Sequence, residues 1–147
     1  MDLIPHRGFG QVLLGITEDK AIALLGEPDA KASDSPDIPG GECHSWVYER
    51  LGVELSFDQD VNYRLARIRI INPDAVLNGH KPIGLPELEV TRLFPNARPE
   101  WSCDGLTDYV DSRSDVSLMV DGGKIVSVVL SLKYDESGNN PQWPEAR

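Results

Sequence analysis

Three histidines and two cysteines are the side chains of this 147-residue chain that could most readily bind a metal ion or act as a nucleophile. The histidines are scattered over three loops, and no His-x-x-x-His or Glu-x-x-His spacing of a metal site occurs. Cys43 precedes His44, but adjacent residues of a strand point to opposite faces, so we do not expect a thiol–imidazole pair. Without a nucleophile, base or metal set, the sequence predicts a protein that is not an enzyme and needs no metal or cofactor.

Cysteine usage also limits the class of protein. Two cysteines, Cys43 and Cys103, are too few for a disulfide framework or a zinc site. Whether these two residues form a single disulfide bond stays open at this stage.

Acidic residues cluster in the second half of the chain. Between residues 100 and 121 there are six acidic residues and one basic residue, Arg113: Glu100, Asp104, Asp108, Asp111, Asp115 and Asp121. One interpretation is a solvated surface without a special role. The other is a surface that attracts a basic partner, because opposite charge speeds association and favours selectivity. Calcium binding is the weaker option, since no Asp-x-Asp-x-Asp-Gly loop is present.

Small and apolar side chains occupy the predicted solvent-facing positions of the second half. Ser117 and Met119 of one predicted strand and Val129 of the next lie on the same face of the sheet. Trp101 and Trp143 lie in a predicted loop and in the tail, and exposed aromatic residues within a polar rim are typical of protein interfaces. Trp143 could instead pack the tail onto the domain. The sequence therefore predicts a partner-binding surface made of Trp101, Asp104, Asp108, Asp111, Asp115, Ser117, Met119 and Val129.

The net charge makes nucleic acid a poor partner. Fourteen Lys and Arg against 24 Asp and Glu give −10, whereas phosphate binding needs a basic surface. No apolar run is long enough to cross a bilayer, and the N-terminal residues lack the pattern of a signal peptide. We expect a cytoplasmic protein with a basic protein partner, without membrane or nucleic-acid binding. The oligomeric state is not predicted.

The first half contains the clearest structural pattern. Thr17 is a good helix N-cap, and the predicted helix Thr17–Leu25 ends at Gly26 before Pro28. A long loop over 29–43, rich in Pro, Gly and Asp, follows and is expected to be mobile or functional. Alternating apolar residues then predict three antiparallel strands: His44–Arg50, Gly52–Asp58 and Tyr63–Ile71.

The second half repeats this order. Its helix is predicted over Pro86–Phe94, and its strands are Leu106–Asp111, Asp115–Val120 and Lys124–Tyr134. We therefore predict an α+β fold of two tandem modules, 1–72 and 73–135, each a helix plus an antiparallel meander, with the helices packed on one face of the sheet. Residues 136–147 are predicted to be a loosely packed polar tail.

The Gly15-Ile16-Thr17-Glu18 opening and the Leu24-Leu25-Gly26-Glu27-Pro28 ending, followed by a strand meander, resemble the module of small bacterial proteins with the beta-lactamase-inhibitor-protein-like fold. A related single module occurs in outer-membrane assembly lipoproteins. The resemblance implies a non-enzymatic binding protein, and we expect an immunity or inhibitor protein that neutralises a bacterial toxin or enzyme. The alternative is an envelope assembly or structural module.

Overall fold

The computed structural model describes residues 1–34 and 41–144. Its elements, in chain order, are the following: β1 (Asp2–Ile4), β2 (Gly8–Phe9), β3 (Val12–Leu13), α1 (Glu18–Leu25), β4 (Ala30–Ser33), β5 (Cys43–Tyr48), β6 (Val53–Asp58), β7 (Arg64–Ile70), β8 (Val76–Leu77), α2 (Val90–Leu93), β9 (Arg98–Cys103), β10 (Leu106–Asp111), β11 (Val116–Asp121), β12 (Lys124–Ser131), β13 (Lys133–Tyr134) and β14 (Pro141–Gln142).

An eight-stranded antiparallel sheet dominates the structure, with the strand order β4-β5-β6-β7-β12-β11-β10-β9. The sheet consists of two four-stranded meanders that meet where β7 pairs with β12. Strand alternation determines its two faces, because every second side chain points to the same side. One face carries the core residues, from Trp46 and Leu55 in the first meander to Leu118 and Leu130 in the second, and all four are buried.

The predicted α+β fold of two helix-plus-meander modules is wrong. Strands account for 46% of the described residues and helices for 13%, and these residues contain two short α-helices. The helix predicted over Pro86–Phe94 is a single 3₁₀ turn, Glu87–Glu89, followed by the four-residue α2. Pro86 can only open a helix and Pro95 forbids continuation, so the segment between them is too short to cover a four-stranded meander.

Each meander also contains one strand more than predicted. Ala30–Ser33, within the loop predicted over 29–43, pairs with β5 as an edge strand, and Arg98–Cys103 pairs with β10 as the other edge. All residues of both edge strands are exposed, so they show no alternation of apolar and polar residues. Residues 35–40 of the predicted loop lie outside the described residues.

A second, smaller sheet supplies much of the cover for the core. Its order is β3-β2-β1-β8, and β1 pairs in parallel with β8, so the N-terminal strand joins the segment between the two meanders. Leu3, Phe9, Val12, Leu14 and Leu77 of this layer are all buried in the core. Strands of two or three residues carry no periodicity, which is why the sequence does not reveal this sheet.

Helix α1 is capped as predicted. The Thr17 hydroxyl accepts a hydrogen bond from the Lys20 amide at 3.2 Å, and the Gly26 amide donates to the Ile22 carbonyl at 2.8 Å. Ala21 is its one fully buried residue, and the Tyr48 hydroxyl fixes its C-terminal end by donating to the Gly26 carbonyl at 2.9 Å. None of the described helices is long and apolar enough to span a membrane.

The tail predicted over 136–147 is held on the domain in its described part. β14 pairs with β13, and Trp143 then lies over Gly15, where an added Cβ would meet the indole Cε3 at 2.4 Å. The Arg64 guanidinium carbon is 5.3 Å from the centroid of the same ring, within the range of a cation–π contact. Trp143 therefore fastens the tail, the second of the two roles considered for it. Residues 145–147 lie outside the described part.

Gly15→Ala tests this packing against a matched control, Gly84→Ala. The two glycines have nearly equal φ angles, +96° and +95°, but nothing lies within 4 Å of an added Cβ at Gly84. We expect Gly84→Ala to lower the free energy of unfolding by about 1 kcal/mol through backbone strain. Gly15→Ala should cost clearly more, because it also displaces the Trp143 ring. Urea denaturation measures both.

The same substitutions in a Trp143→Ala background separate the two contributions. There, the cost of Gly15→Ala should fall to that of Gly84→Ala. An unchanged cost in that background would contradict the packing of Trp143 on Gly15.

Candidate functional site

The candidate site is the open face of the large sheet, the side that points away from the core and the small sheet. Five of the eight predicted site residues share this face in the second meander. Trp101, Asp108 and Met119 are direct cross-strand neighbours on β9, β10 and β11. Ser117 and Val129 are paired in the adjacent row. Neighbouring strands are about 4.8 Å apart, so these five side chains form one continuous patch, which we call the Trp101 patch.

The other three predicted residues lie elsewhere. Asp111 is buried on the core side, 6% exposed, and its Oδ1 accepts a hydrogen bond from the Arg113 amide at 2.9 Å. Asp115 is in the β10–β11 turn, and its carboxylate is 2.7 Å from Nε2 of His6. Asp104 is in the β9–β10 turn, at the opposite end of the strands. The structure therefore does not bring the six acidic residues together in one surface.

Asp108 has an unusual environment within the Trp101 patch. Partial burial raises the pKa of its carboxyl above the ordinary value, and the nearby charge of Glu100 raises it further, while Arg69 acts in the opposite direction. Trp101, 52% exposed, and Met119 flank this carboxylate on the adjacent strands. A cation placed over the patch would therefore relieve an unfavourable charge as well as gain contact with an aromatic ring.

The first meander carries a shallow polar groove on the same open face. Its volume is about 170 Å³, and it is lined by Asp34, Cys43, Ser45, Glu54, Ser56, Arg67, Arg69 and Val129. Nη2 of Arg67 lies 3.0 Å from the Asp58 carboxylate and 3.5 Å from the Cys43 sulfur. Val129 belongs to both the groove and the Trp101 patch, so the two are continuous.

Cys43 is not activated as a nucleophile. Burial raises the pKa of its thiol, and Asp58 raises it further, so the thiol stays protonated at neutral pH. His44 points to the other face of β5, as the sequence predicts, and makes no pair with this thiol. Cys43 and Cys103 are both free, on β5 and at the end of β9.

Sequence reasoning missed a histidine clamp beside the start of α1. Nδ1 and Nε2 of His44 each lie 2.6 Å from a carboxylate oxygen, of Glu18 and Glu42 respectively. The Tyr63 ring stacks on the imidazole at 4.5 Å between centroids, and its hydroxyl donates to Glu42 at 3.2 Å. Glu42 is two residues from His44, a spacing that puts both side chains on one side of an extended segment. Glu18 and Tyr63 come from other segments, so local spacing could reveal only the Glu42–His44 pair. The cluster joins the helix to the sheet.

The chemistry of these clusters is that of binding and support. In the part of the chain that the structure describes, no group of three or more His, Cys, Asp or Glu residues is arranged to hold a metal ion. The clamp instead needs a protonated imidazole, since both ring nitrogens must donate to carboxylates. Hydrogen bonding to Glu18 is the main reason why the pKa of His44 is raised, with Glu42 adding to it and burial opposing both.

His44 predicts a definite dependence of stability on pH. A raised pKa in the folded state means that the clamp stabilises the fold fully below the unfolded-state pKa and is lost as pH rises through the folded-state pKa. The free energy of unfolding should therefore fall as pH rises from the unfolded-state pKa of about 6.5 through the raised folded-state pKa of His44. His44→Gln should remove this slope, whereas His80→Gln, at an exposed position, should leave it unchanged. NMR titration of the imidazole checks the pKa directly, and a His44 pKa at or below 6.5 would contradict the clamp.

Asp108 and Asp111 give a paired test of the two strand faces. Asp111→Ala removes the acceptor for the Arg113 amide and should lower the free energy of unfolding by about 1 kcal/mol. Asp108→Asn should instead raise stability at neutral pH, because the ionised carboxylate is disfavoured in the folded state. Denaturation of both variants at pH 7 measures the signs. Equal losses would show that the two side chains do not differ as described.

No protein-family model and no curated protein matches this sequence. Solved structures that are similar to it include two of low sequence identity. The uncharacterized protein yfeY from Escherichia coli is 14% identical, with a TM-score of 0.56, and the match covers 87% of this chain and 98% of that one. An extracellular protein containing a SCP domain from Bacillus anthracis str. Ames is 12% identical, with a TM-score of 0.50 and coverage of 91% and 50%.

The present chain thus spans about half the length of the second protein. At such low identities the similarity concerns the fold alone. The chain thus shares its fold with an uncharacterized protein and with about half of an extracellular protein that contains a SCP domain.

Proposed function

We propose that this chain is a non-enzymatic binding protein that binds a basic protein through the Trp101 patch. We further propose that it serves as an immunity or inhibitor protein against a bacterial toxin or enzyme, in keeping with the resemblance of the Gly15–Pro28 segment. The observation that carries the proposal is the placement of Asp108, which is partly buried between the exposed Trp101 and the partly exposed Met119 on the open face of the sheet.

Burial energy in this interface would come from the aromatic residue. Trp101 exposes half of its surface at the edge of the sheet, and partly exposed Met119 and Val129 extend the apolar area toward the centre. Tryptophan dominates the binding energy of many interfaces, because it buries a large area at a small cost in conformational entropy. The patch lies on hydrogen-bonded strands, whose backbone is already ordered, so little ordering free energy opposes binding.

Charge supports a basic partner. The whole chain carries −10, and Glu100 adds its charge next to Asp108 at the patch itself. The long-range field would speed the encounter with a cationic protein, and a Lys or Arg of that protein would pair with Asp108 as the interface closes. The polar groove next to the patch, with Arg67 and Arg69, would add hydrogen-bonding groups at the far side of the same face.

An envelope assembly module is the second candidate. It is favoured by one observation: the same fold forms half of a protein described as extracellular. The inhibitor proposal includes a cytoplasmic location, so fractionation of native cells separates the two. Recovery of the chain with the envelope fraction favours the assembly module.

Two substitutions in the Trp101 patch should have different kinetic effects on partner binding. Asp108→Lys should slow association about tenfold at low salt and blunt its salt dependence. Trp101→Ala should cost about 2 kcal/mol of binding free energy, mainly through faster dissociation. Surface plasmon resonance with a partner recovered from native cells, or with the product of a neighbouring toxin gene, measures both rates.

Matched controls make this test specific to the patch. Glu136→Lys changes the charge equally in the tail, and Leu88→Ala removes an apolar side chain that is 84% exposed elsewhere. Both should bind like the unchanged chain. If the controls weaken binding as much as the patch variants do, or if native cells yield no protein partner, the proposed function is wrong.

A further inference from the structure

A cavity of about 300 Å³ lies away from the open face, where β3, the first turn of α1 and the start of β7 meet the tail. Its lining residues are Leu13, Leu14, Gly15, Ile16, Thr17, Lys20, Arg64, Trp143 and Pro144. We call it the Trp143 cavity. Its size is at the lower end of the range for sites that bind small molecules, and most of its walls are apolar.

The charge of this cavity is opposite to that of the whole protein. The net charge of the chain is −10, yet both ionisable side chains among the described lining residues, Lys20 and Arg64, are cationic. Glu18, on the same turn as Lys20, points to His44 instead, with its carboxylate 2.6 Å from Nδ1 of that residue. Among the described residues, the cavity is therefore a local cationic site in an acidic protein.

The positions of Arg64 and Trp143 are fixed by neighbouring groups. Nη1 of Arg64 donates to the Gly15 carbonyl at 3.3 Å, and its guanidinium carbon is 5.3 Å from the centroid of the Trp143 ring. The Gly15 amide donates to the Leu65 carbonyl at 2.7 Å, so the backbone on which the indole rests is itself held by β7. Arginine has five N–H groups, so a guanidinium positioned in this way can still donate to a ligand with the others.

From these features we propose that the Trp143 cavity binds a small amphipathic carboxylate. Arg64 and Lys20 pair with the carboxylate of the ligand. The hydrocarbon part of the ligand lies against Leu13, Ile16 and the indole of Trp143. This site is independent of the Trp101 patch and goes beyond the proposed partner binding.

The chemical class follows from the lining. A charge-assisted pair with arginine favours a planar carboxylate, and two cations leave no favourable place for an ammonium group. Apolar walls favour a hydrocarbon chain over a sugar or a nucleotide, whose hydroxyl groups would lose hydrogen bonds with water. The limited volume restricts the ligand to a short chain or a single ring.

Hexanoate is a suitable probe, and the indole N–H signal of Trp143 is the readout. We expect titration of the ¹⁵N-labelled full-length chain with hexanoate to shift this signal saturably, while those of Trp46 and Trp101 stay in place. Trp143→Phe assigns the signal. Hexanol and hexylamine, which share the hydrocarbon chain but lack the carboxylate, should bind at least about tenfold more weakly.

Substitutions test the two cations. The double variant Lys20→Gln with Arg64→Gln should weaken hexanoate binding at least about tenfold. Lys20→Gln alone, at an exposed helix position, keeps the Arg64–Trp143 contact and should still weaken it measurably. The control, Lys81→Gln with Arg92→Gln, removes the same charges at exposed positions and should bind hexanoate like the unchanged chain.

Three results would overturn the proposal. They are the absence of a saturable shift of the Trp143 signal, hexanol binding as strongly as hexanoate, and hexanoate binding that survives loss of both cations. These results are independent of the Trp101 patch, because the same Lys20 and Arg64 variants should keep their affinity for the protein partner. Loss of partner binding with intact hexanoate binding would instead contradict the proposed function alone.

Discussion

The pairing of β7 with β12 is the interaction on which the rest of the structure depends. Ile68 faces Leu130 and Ile70 faces Val128 across this seam, and all four side chains are fully buried. Without this pairing, each meander would be a separate four-stranded sheet with a second exposed edge and only its own half of the apolar core. With it, one continuous apolar face forms, and the small sheet, α1 and α2 can cover it together. Among the described residues, the small sheet, α1 and α2 lie on this face, and the opposite face keeps Trp101, Met119 and Val129 at least partly exposed.

Strand periodicity made the centre of this sheet predictable from the sequence. Alternation from Val53 to Phe57 and from Val116 to Val120 gives both strands and their faces, and the structure places these residues in the core. The edge strands and the small sheet could not be predicted in this way, because their residues are either all exposed or too few to show a period. The prediction of a helix over Pro86–Phe94 was wrong because Pro86 and Pro95 leave too little chain between them for a helix of that length, whatever the local propensity.

The candidate site was predictable to the extent that strand parity was used. The alternation of side chains along the strands predicts that Ser117, Met119 and Val129 share a face, and the structure places them together on the open face. Asp108 and Asp111 were chosen by charge alone, although residues three apart on one strand must point to opposite faces. The parity of β10 thus contained the signal that Asp111 belongs to the core side. The Glu18–His44–Glu42 clamp and the Trp143 cavity depend on contacts between distant segments, which the sequence alone does not indicate.

Both surfaces proposed to bind carry charges that a ligand of opposite charge would complement. Burial raises the pKa of Asp108 and so disfavours its ionised carboxylate; Arg69 opposes this effect and Glu100 adds to it. Lys20 and Arg64 are exposed side chains that line the same largely apolar cavity. Groups held in unfavourable electrostatic settings are often found where a ligand relieves them. The two proposed sites share no residue, so a cation at the first would not compete with an anion at the second.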